Sequence, residues 1–257
     1  MMNLKQLKDE LISQKESHFK GNIYHWTQVN FAYNSNKIEG SRLTEDQTEM
    51  IFETNSFITK SEESIKMDDL TEAVNHFRLF DYMLDHIDEP LSKEMIINMN
   101  VILKRNTSDE KNPRYNVGGF KKVPNIIGMI NVIKTTPPEK VEQEIDKLLN
   151  VYNSMETKTF EDIIDFHVHF ERIHPFGDGN GRVGRMIMFK ECLKHDIIPF
   201  VVMDRDKNFY LRGLREYDND KAYLLDTCLH EQDIYEQICD ELLQFDLEYK
   251  QAEDMEL

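Results

Sequence analysis

The amino-acid sequence predicts an all-α protein with one small β-hairpin. Apolar residues recur at helical spacing along most of the chain, as at Leu4, Leu7 and Leu11. The first 89 residues contain no proline, a residue that interrupts helices. The pattern changes between about residues 112 and 138, where four of the seven prolines and three of the ten glycines lie. We therefore expect helices on both sides of a single hairpin.

Local capping signals place the first helices. Gly40 is typical of a helix stop, and Thr44 with Gln47 three residues later forms a capping box that opens the next helix. Two further helices are predicted at residues 68–87 and 92–104. Ser92 is the predicted N-cap of the second one.

The second half of the chain begins with the proline- and glycine-rich segment. It contains two β-favouring runs, VGGFKKV (117–123) and NIIGMINVIKTT (125–136), which predict the hairpin. Three more helices are expected at residues 139–152, 159–173 and 181–194. Thr159 is the predicted cap of the middle one.

Composition excludes several classes of function. The formal net charge of −17 argues against binding to nucleic acid or to an anionic membrane, since both are held largely by Lys and Arg. The three cysteines lack the spacing of metal ligands, which favours reduced thiols. The N-terminal MMNLKQLKDELI has no signal-peptide core, and no apolar run reaches membrane-spanning length. We expect a soluble, acidic, cytoplasmic protein.

The segment GNGRVG (179–184) matches the dinucleotide fingerprint G-x-G-x-x-G. A strand-like FHVHF precedes it, and Asp204 follows at the distance of the fingerprint's acidic residue. However, His174 and Pro175 interrupt the chain where the strand should enter the turn, and Asp178 would set a carboxylate beside the pyrophosphate. A P-loop is excluded because no G-K-[ST] follows the glycines. We therefore favour a helix, a loop and a second helix.

The glycines of this loop suit a phosphate ligand. Gly177, Gly179 and Gly181 let the backbone approach a ligand closely. Their N–H groups, together with the N-terminus of the following helix, would form an anion cradle. Asn180 adds a neutral side-chain donor.

The charged residues of the loop extend this prediction. Arg182 and Arg185 share a helix face in the first turns, where the helix dipole disfavours cations, and this indicates a bound polyanion. Asp178 would repel phosphate unless a cation lies between them, and magnesium is the natural candidate. Alternatively, Asp178 caps the following helix. His174 titrates near neutrality and suits a general base.

The stretch HPFGDGNGRVGR (174–185) resembles the signature of the Fic family, H-x-F-x-(D/E)-G-N-G-R-x-x-R, at every fixed position. GFKKVPNIIG (119–128) resembles the family's flap hairpin, and FYLRGL (209–214) resembles the segment that lines its adenine pocket. SNKIEG (35–40) matches the family's inhibitory motif, (S/T)-x-x-x-E-(G/N).

The resemblance implies a Fic-type helical bundle with a small β-hairpin flap. It divides the chain into an N-terminal helical region carrying the inhibitory motif, a Fic core and a C-terminal helical segment, at residues 1–90, 91–225 and 226–257. Within the core, the flap is expected at residues 116–136 and the active-site loop at residues 174–185.

The activity that the resemblance implies is transfer of AMP from ATP, with Mg²⁺, to a Ser, Thr or Tyr hydroxyl of a target protein. His174 would deprotonate the hydroxyl, Asp178 would hold magnesium, and Arg185 would hold the γ-phosphate. The phosphates would be cradled by Gly179, Asn180, Gly181 and Arg182. The nucleotide would also be bordered by Asn125, Ile126, Ile127, Gly128 and Tyr210.

The inhibitory motif implies a switch. Glu39 would reach into the site and pair with Arg185, so that ATP binds unproductively. Ser35 and Gly40 stand in register with the rest of the motif. By itself, Glu39 could equally be a solvated residue in the last helical turn.

Alternatives remain open from the sequence. The same fold could remove AMP from a protein, transfer UMP or a phosphate, or serve as a nucleotide-binding regulator without catalysis. The target protein would be bound along the flap hairpin, a sequence-tolerant mode of recognition. Self-modification and a homodimer are both compatible with the sequence.

Overall fold

The computed structural model describes residues 4–17, 20–59, 64–127 and 133–256. These residues form the helices α1 (Leu4–Ser17), α2 (Ile23–Ile38), α3 (Glu45–Thr54), α4 (Met67–Asp85), α5 (Lys93–Lys104), α6 (Pro138–Ser154), α7 (Phe160–Ile173), α8 (Asn180–Lys194), α9 (Lys207–Glu216) and α10 (Ala222–Glu256). The two short strands are β1 (Ile126–Ile127) and β2 (Ile133–Lys134), and a 3₁₀ turn at Asp204–Asp206 precedes α9. The predicted all-helical fold class is confirmed.

Helix α8 is the centre of the bundle. Nearly all of its side chains between Asn180 and Leu193 are buried, and it packs against α2, α4, α5 and α7. A helix that is buried on every side has no polar face, and its charged residues must find partners inside the protein. Phe189 fixes the packing, with its ring centroid 5.3 Å from that of Phe31 and 5.5 Å from that of Phe80.

The capping signals in the sequence act as predicted. Gly40 follows α2 with a φ of 96°, and Thr44 forms a capping box with Gln47 at the start of α3. The Ser92 side chain accepts a hydrogen bond from the backbone of Met95, which caps α5. These short-range interactions fix where the helices that carry the site begin and end.

The structure corrects the extent of the strands. Pairing between β1 and β2 is antiparallel and covers two residue pairs, Ile126 with Lys134 and Ile127 with Ile133. The predicted strand at residues 117–123 is wrong, because this run forms turns and bends. Gly118 has a φ of 98°, and the Lys121 N–H donates to the carbonyl of Pro175 at 2.8 Å instead of to a strand. Residues 128–132, which include Gly128, lie outside the described residues.

The three cysteines lie in the described part of the chain, and Cys192, Cys228 and Cys239 are all buried and free. Burial raises the pKa of each thiol, so each remains protonated at neutral pH. Among the described helices, none is long and apolar enough to cross a membrane.

The cap of α7 makes a testable prediction about stability. Thr159 caps α7 through a reciprocal pair of hydrogen bonds with Asp162. We expect Thr159→Ala to lower the free energy of unfolding by about 1 kcal/mol, the usual contribution of an N-cap. Urea unfolding measures this change. Thr157→Ala, at an exposed position two residues earlier, is the matched control, and an equal loss in both variants would contradict the capping role.

Candidate active site

The loop between α7 and α8 has left-handed backbone at both ends. His174 ends α7 with a φ of 51°, and Gly179 precedes α8 with a φ of 85°. Such left-handed backbone is common for glycine but uncommon for histidine, and it clusters at functional sites. At Gly177 a Cβ would lie 2.8 Å from the Cα of Tyr115, so the backbone approach there requires glycine.

The Asn180 side chain forms hydrogen bonds across the loop. Its Oδ1 accepts the Phe176 N–H at 2.8 Å, and its Nδ2 donates to the Phe176 carbonyl at 3.0 Å. Phe176 is buried against the rings of Phe120 and Phe170. The Asn180 side chain therefore shapes the loop, and its role as a phosphate donor stays a prediction. Its backbone N–H belongs to the first turn of α8, where N–H groups have no partner within the helix.

His174 is oriented by Glu171. The imidazole Nδ1 lies 3.2 Å from the Glu171 carbonyl and 3.7 Å from its Oε2. Because both acceptors face Nδ1, the geometry favours a proton on Nδ1 and a free electron pair on Nε2. Burial acts to raise the pKa of the Glu171 carboxyl, but the hydrogen bond to His174 and the nearby positive charges lower it below its usual value. Nε2 is thus the nitrogen of His174 that is free to accept a proton.

Asp178 is held between two cations. Its Oδ2 lies 2.5 Å from the Lys104 ammonium and 2.8 Å from Nη2 of Arg182, and its carbonyl accepts a bond from Asn100. Burial would raise the pKa of the carboxyl, but the charges of Arg182 and Lys104 outweigh it and lower the pKa to about 2. The carboxylate is therefore ionised, and the side chain remains 44% exposed.

Arg182 and Lys104 are themselves almost completely buried. Glu72 of α4 contacts both, with its Oε2 2.5 Å from Nη1 of Arg182 and its Oε1 against the Lys104 ammonium. Asp109 supplies a further carboxylate, 2.5 Å from the Lys104 ammonium. Three acidic and two basic side chains thus form a continuous network beneath the loop. We call it the Asp178 network, and its members are Glu72, Lys104, Asp109, Asp178 and Arg182.

Arg185 is bound by the C-terminal end of α2. Its Nε donates to the Ser35 hydroxyl at 3.0 Å, and its Nη2 donates to the Ser35 carbonyl at 3.0 Å and to Glu39 Oε1 at 2.7 Å. Burial would lower the pKa of the Arg185 guanidinium, but the Glu39 carboxylate raises it, so the guanidinium keeps its charge. The structure therefore brings the predicted Ser35, Glu39 and Arg185 together.

The Glu39 carboxylate lies over the N-terminus of α8. A Cβ added at Gly181 would collide with Glu39 Oε1 and would lie 2.9 Å from Arg185 Nη1. Glu39 follows the last residue of α2, immediately before Gly40, and its side chain is 36% exposed. A negative group is thus already bound where the helix dipole and Arg185 attract anions.

The other residues predicted to border the nucleotide belong to the flap and to α9. The Asn125 Nδ2 donates to the Phe176 carbonyl at 2.8 Å, which ties the flap to the loop, and Ile126 is 59% exposed. Tyr210 is buried, with its hydroxyl 2.5 Å from His167 Nε2 and its ring 5.9 Å from the Arg185 guanidinium. Its predicted place beside the nucleotide, like that of Ile127, stays a prediction.

Sequence reasoning missed Glu72, Lys104, Asp109 and Glu171. Glu171 lies three residues before His174 on the same helix, so helical spacing could have identified it. The other three lie more than sixty residues from the loop, and nothing in their local sequence marks them as partners of Asp178.

The Asp178 network makes a prediction about stability. Glu72→Gln would leave two side chains that are each 3% exposed, Lys104 and Arg182, without one of their compensating charges. We expect a loss of about 3 kcal/mol in the free energy of unfolding, in the range for breaking a buried ion pair. Chemical denaturation measures this change, with the exposed Glu156→Gln as the control. A loss no larger than that of the control would show that the network does not stabilise the fold.

Part of the chain is similar to a known protein family. Residues 90–192 match the Fic/DOC family. A probable protein adenylyltransferase of Aquifex aeolicus is 36% identical over 31% of this chain and 25% of its own length. The protein adenylyltransferase Fic of Nematostella vectensis is 24% identical over 72% of this chain and 42% of its own length. The chain thus spans less than half the length of either relative.

A solved structure supports the fold. The crystal structure of a Fic domain containing signaling protein from Bacteroides thetaiotaomicron superposes with a TM-score of 0.73, covering 93% of this chain and 94% of the other. At 20% identity this likeness shows the fold alone. The helical fold and the match over residues 90–192 agree, and this part of the chain is a Fic/DOC family domain.

Proposed function

We propose that this chain is a protein adenylyltransferase, which transfers AMP from ATP to a Ser, Thr or Tyr hydroxyl of a target protein. The Aquifex and Nematostella relatives, which are named protein adenylyltransferases, support this activity. The observation that carries the proposal is the Glu39 carboxylate at the N-terminus of α8, bound to Arg185 at 2.7 Å.

This carboxylate marks an anion site. The N-terminus of α8 carries partial positive charge, and Arg185 adds a full charge beside it. An internal carboxylate satisfies this site when no other anion is bound. A nucleotide polyphosphate has the charge and the acceptor oxygens to take its place.

The residues present also fit a magnesium ion. Magnesium is commonly held by one or two carboxylates together with phosphate oxygens. Asp178 is ionised and its side chain is 44% exposed. Together with the phosphate oxygens of a bound nucleotide, its carboxylate would supply the oxygen ligands that magnesium requires. Asp178 would hold the ion, and the ion would supply positive charge to the phosphates during transfer.

The proposed step uses His174 as the base. The hydroxyl oxygen of the target attacks the α-phosphorus of ATP, and the bond from that phosphorus to the oxygen bridging the β-phosphate breaks. Pyrophosphate leaves, and the hydroxyl proton moves to Nε2 of His174. Glu171 stabilises the resulting imidazolium, because its carbonyl and carboxylate both face Nδ1.

Inhibition follows from competition for Arg185. The γ-phosphate and Glu39 would use the same guanidinium, so ATP that binds beside an intact Glu39–Arg185 pair lacks its anchor. The pair is supported by two hydrogen bonds from Arg185 to Ser35. Release of Glu39 is therefore the proposed activating event.

The flap is the proposed site for the target segment. Ile126 of β1 is exposed, and the strand pair is only two residues long. A target segment could add to such a short strand through backbone hydrogen bonds, which place little demand on its sequence. This mode of binding is compatible with self-modification as well as with a separate target.

Glu39→Gly is expected to raise AMP transfer by roughly 10- to 100-fold, since loss of one charge-assisted hydrogen bond of about 1.5–3 kcal/mol frees Arg185. Incorporation of label from α-labelled ATP, with mass spectrometry for one added AMP moiety, measures this. Glu45→Gly, at the exposed start of α3, is the matched control. Equal labelling of Glu39→Gly and wild type would contradict inhibition. Faster removal of AMP from a labelled target by wild type than by Glu39→Gly would instead favour the reverse reaction.

His174→Ala, made in the Glu39→Gly background, is expected to lower the rate of AMP transfer by roughly 10²- to 10⁴-fold, the usual contribution of a general base. ATP binding measured by isothermal titration should be retained, because the phosphates are assigned to Arg185 and the N-terminus of α8 and not to His174. His169→Ala, at an exposed position of the same helix, is the control. A loss below tenfold at His174 would show that another group accepts the proton.

A further inference from the structure

Lys104 occupies an unusual position beneath the active-site loop. It is the last residue of α5 and only 2% exposed, yet three carboxylates from different segments surround its ammonium. The ammonium lies 2.5 Å from Asp109 Oδ2 and 2.5 Å from Asp178 Oδ2, and it also contacts Glu72 Oε1. Of these residues only Asp178 belongs to the Fic signature, and Lys104, Glu72 and Asp109 lie outside it.

The three carboxylates lie at the spacing of a metal site. One oxygen from each of Glu72, Asp109 and Asp178 lies within 4.8 Å of the others. Carboxylates this close repel one another unless a cation lies among them. Here the cation is the Lys104 ammonium, which contacts all three carboxylates.

Arg182 does not fill the same role. Its guanidinium contacts Glu72 and Asp178 from the side of α8, and no contact joins it to Asp109 among the described residues. Without Lys104, the network would contain three carboxylates and one guanidinium. Such an excess of negative charge in a buried place would attract a divalent ion.

We propose that Lys104 is a positioning residue for the metal ligand Asp178. Its ammonium takes the place of a divalent cation among Glu72, Asp109 and Asp178. It thereby prevents a metal ion from binding beneath the loop in the absence of nucleotide. Asp178 is then held through Oδ2, while its side chain remains 44% exposed. Magnesium binds there only when phosphate oxygens complete its coordination. This inference rests on the proposed function.

The experiment measures Mn²⁺ binding without nucleotide, by the loss of the electron paramagnetic resonance signal of free Mn²⁺. Lys104→Met is expected to bind Mn²⁺ at least about tenfold more tightly than wild type, because a full charge in direct contact with the carboxylates is removed. Lys104→Arg retains the charge and is expected to bind as weakly as wild type. Adding Asp109→Asn to Lys104→Met is expected to remove most of the gain. Equal affinity of wild type and Lys104→Met would overturn the proposal.

Thermal unfolding covers the case in which Lys104→Met folds poorly. Mn²⁺ is expected to raise the Tm of Lys104→Met and to leave that of wild type unchanged, since a bound ion replaces the missing charge. A variant that stays unfolded in saturating Mn²⁺ would contradict the proposal. Because no nucleotide is present, the result is separate from AMP transfer. If Lys104→Met gains Mn²⁺ binding but Glu39→Gly transfers no AMP, only the proposed function is refuted. If Glu39→Gly transfers AMP but Lys104→Met gains no Mn²⁺ binding, only the role of Lys104 is refuted.

Discussion

Two guanidinium groups are buried in the first turns of the central helix α8, and the arrangement around them follows from the need to compensate their charge. Arg182 and Arg185 are 2% and 3% exposed, and the dipole of α8 adds to the unfavourable energy of burying them there. The protein satisfies both with carboxylates, of which only Asp178 comes from the loop itself. Glu72 and Asp178 surround Arg182, while Glu39 binds Arg185.

This requirement joins the N-terminal helices to the loop. Helix α2 brings Ser35 and Glu39 to Arg185, helix α4 brings Glu72 to Arg182, and helix α5 ends at Lys104 beneath Asp178. The site is therefore built by the bundle as a whole. A bound polyphosphate would exchange one anion for another at Arg185, so the burial of that charge stays compensated in both states.

The sequence revealed those parts of the site that depend on neighbouring residues. The loop from His174 to Arg185 is contiguous, and caps such as Thr44 and Thr159 act within one helical turn, so both could be recognised directly. The strand at residues 117–123 was predicted wrongly because β-propensity was outweighed by Gly118 and by the bond from Lys121 to Pro175. Lys104 and Glu72 were not predicted, because a single sequence does not show which charged residues that are distant along the chain come into contact.

The two carboxylates that bind the arginines differ in how readily they can be released. Glu72 lies within α4, its side chain is 14% exposed, and it contacts Lys104 and Arg182 together, so removing it would uncover two buried cations. Glu39 follows the end of α2, is 36% exposed, and contacts Arg185 alone among the described cations. Its release needs only a side-chain rotation or loss of the last turn of α2, where Gly40 already ends the helix. The residue suited to act as a switch is therefore Glu39, and Glu72 belongs to the permanent framework that holds Arg182 and Asp178 in place.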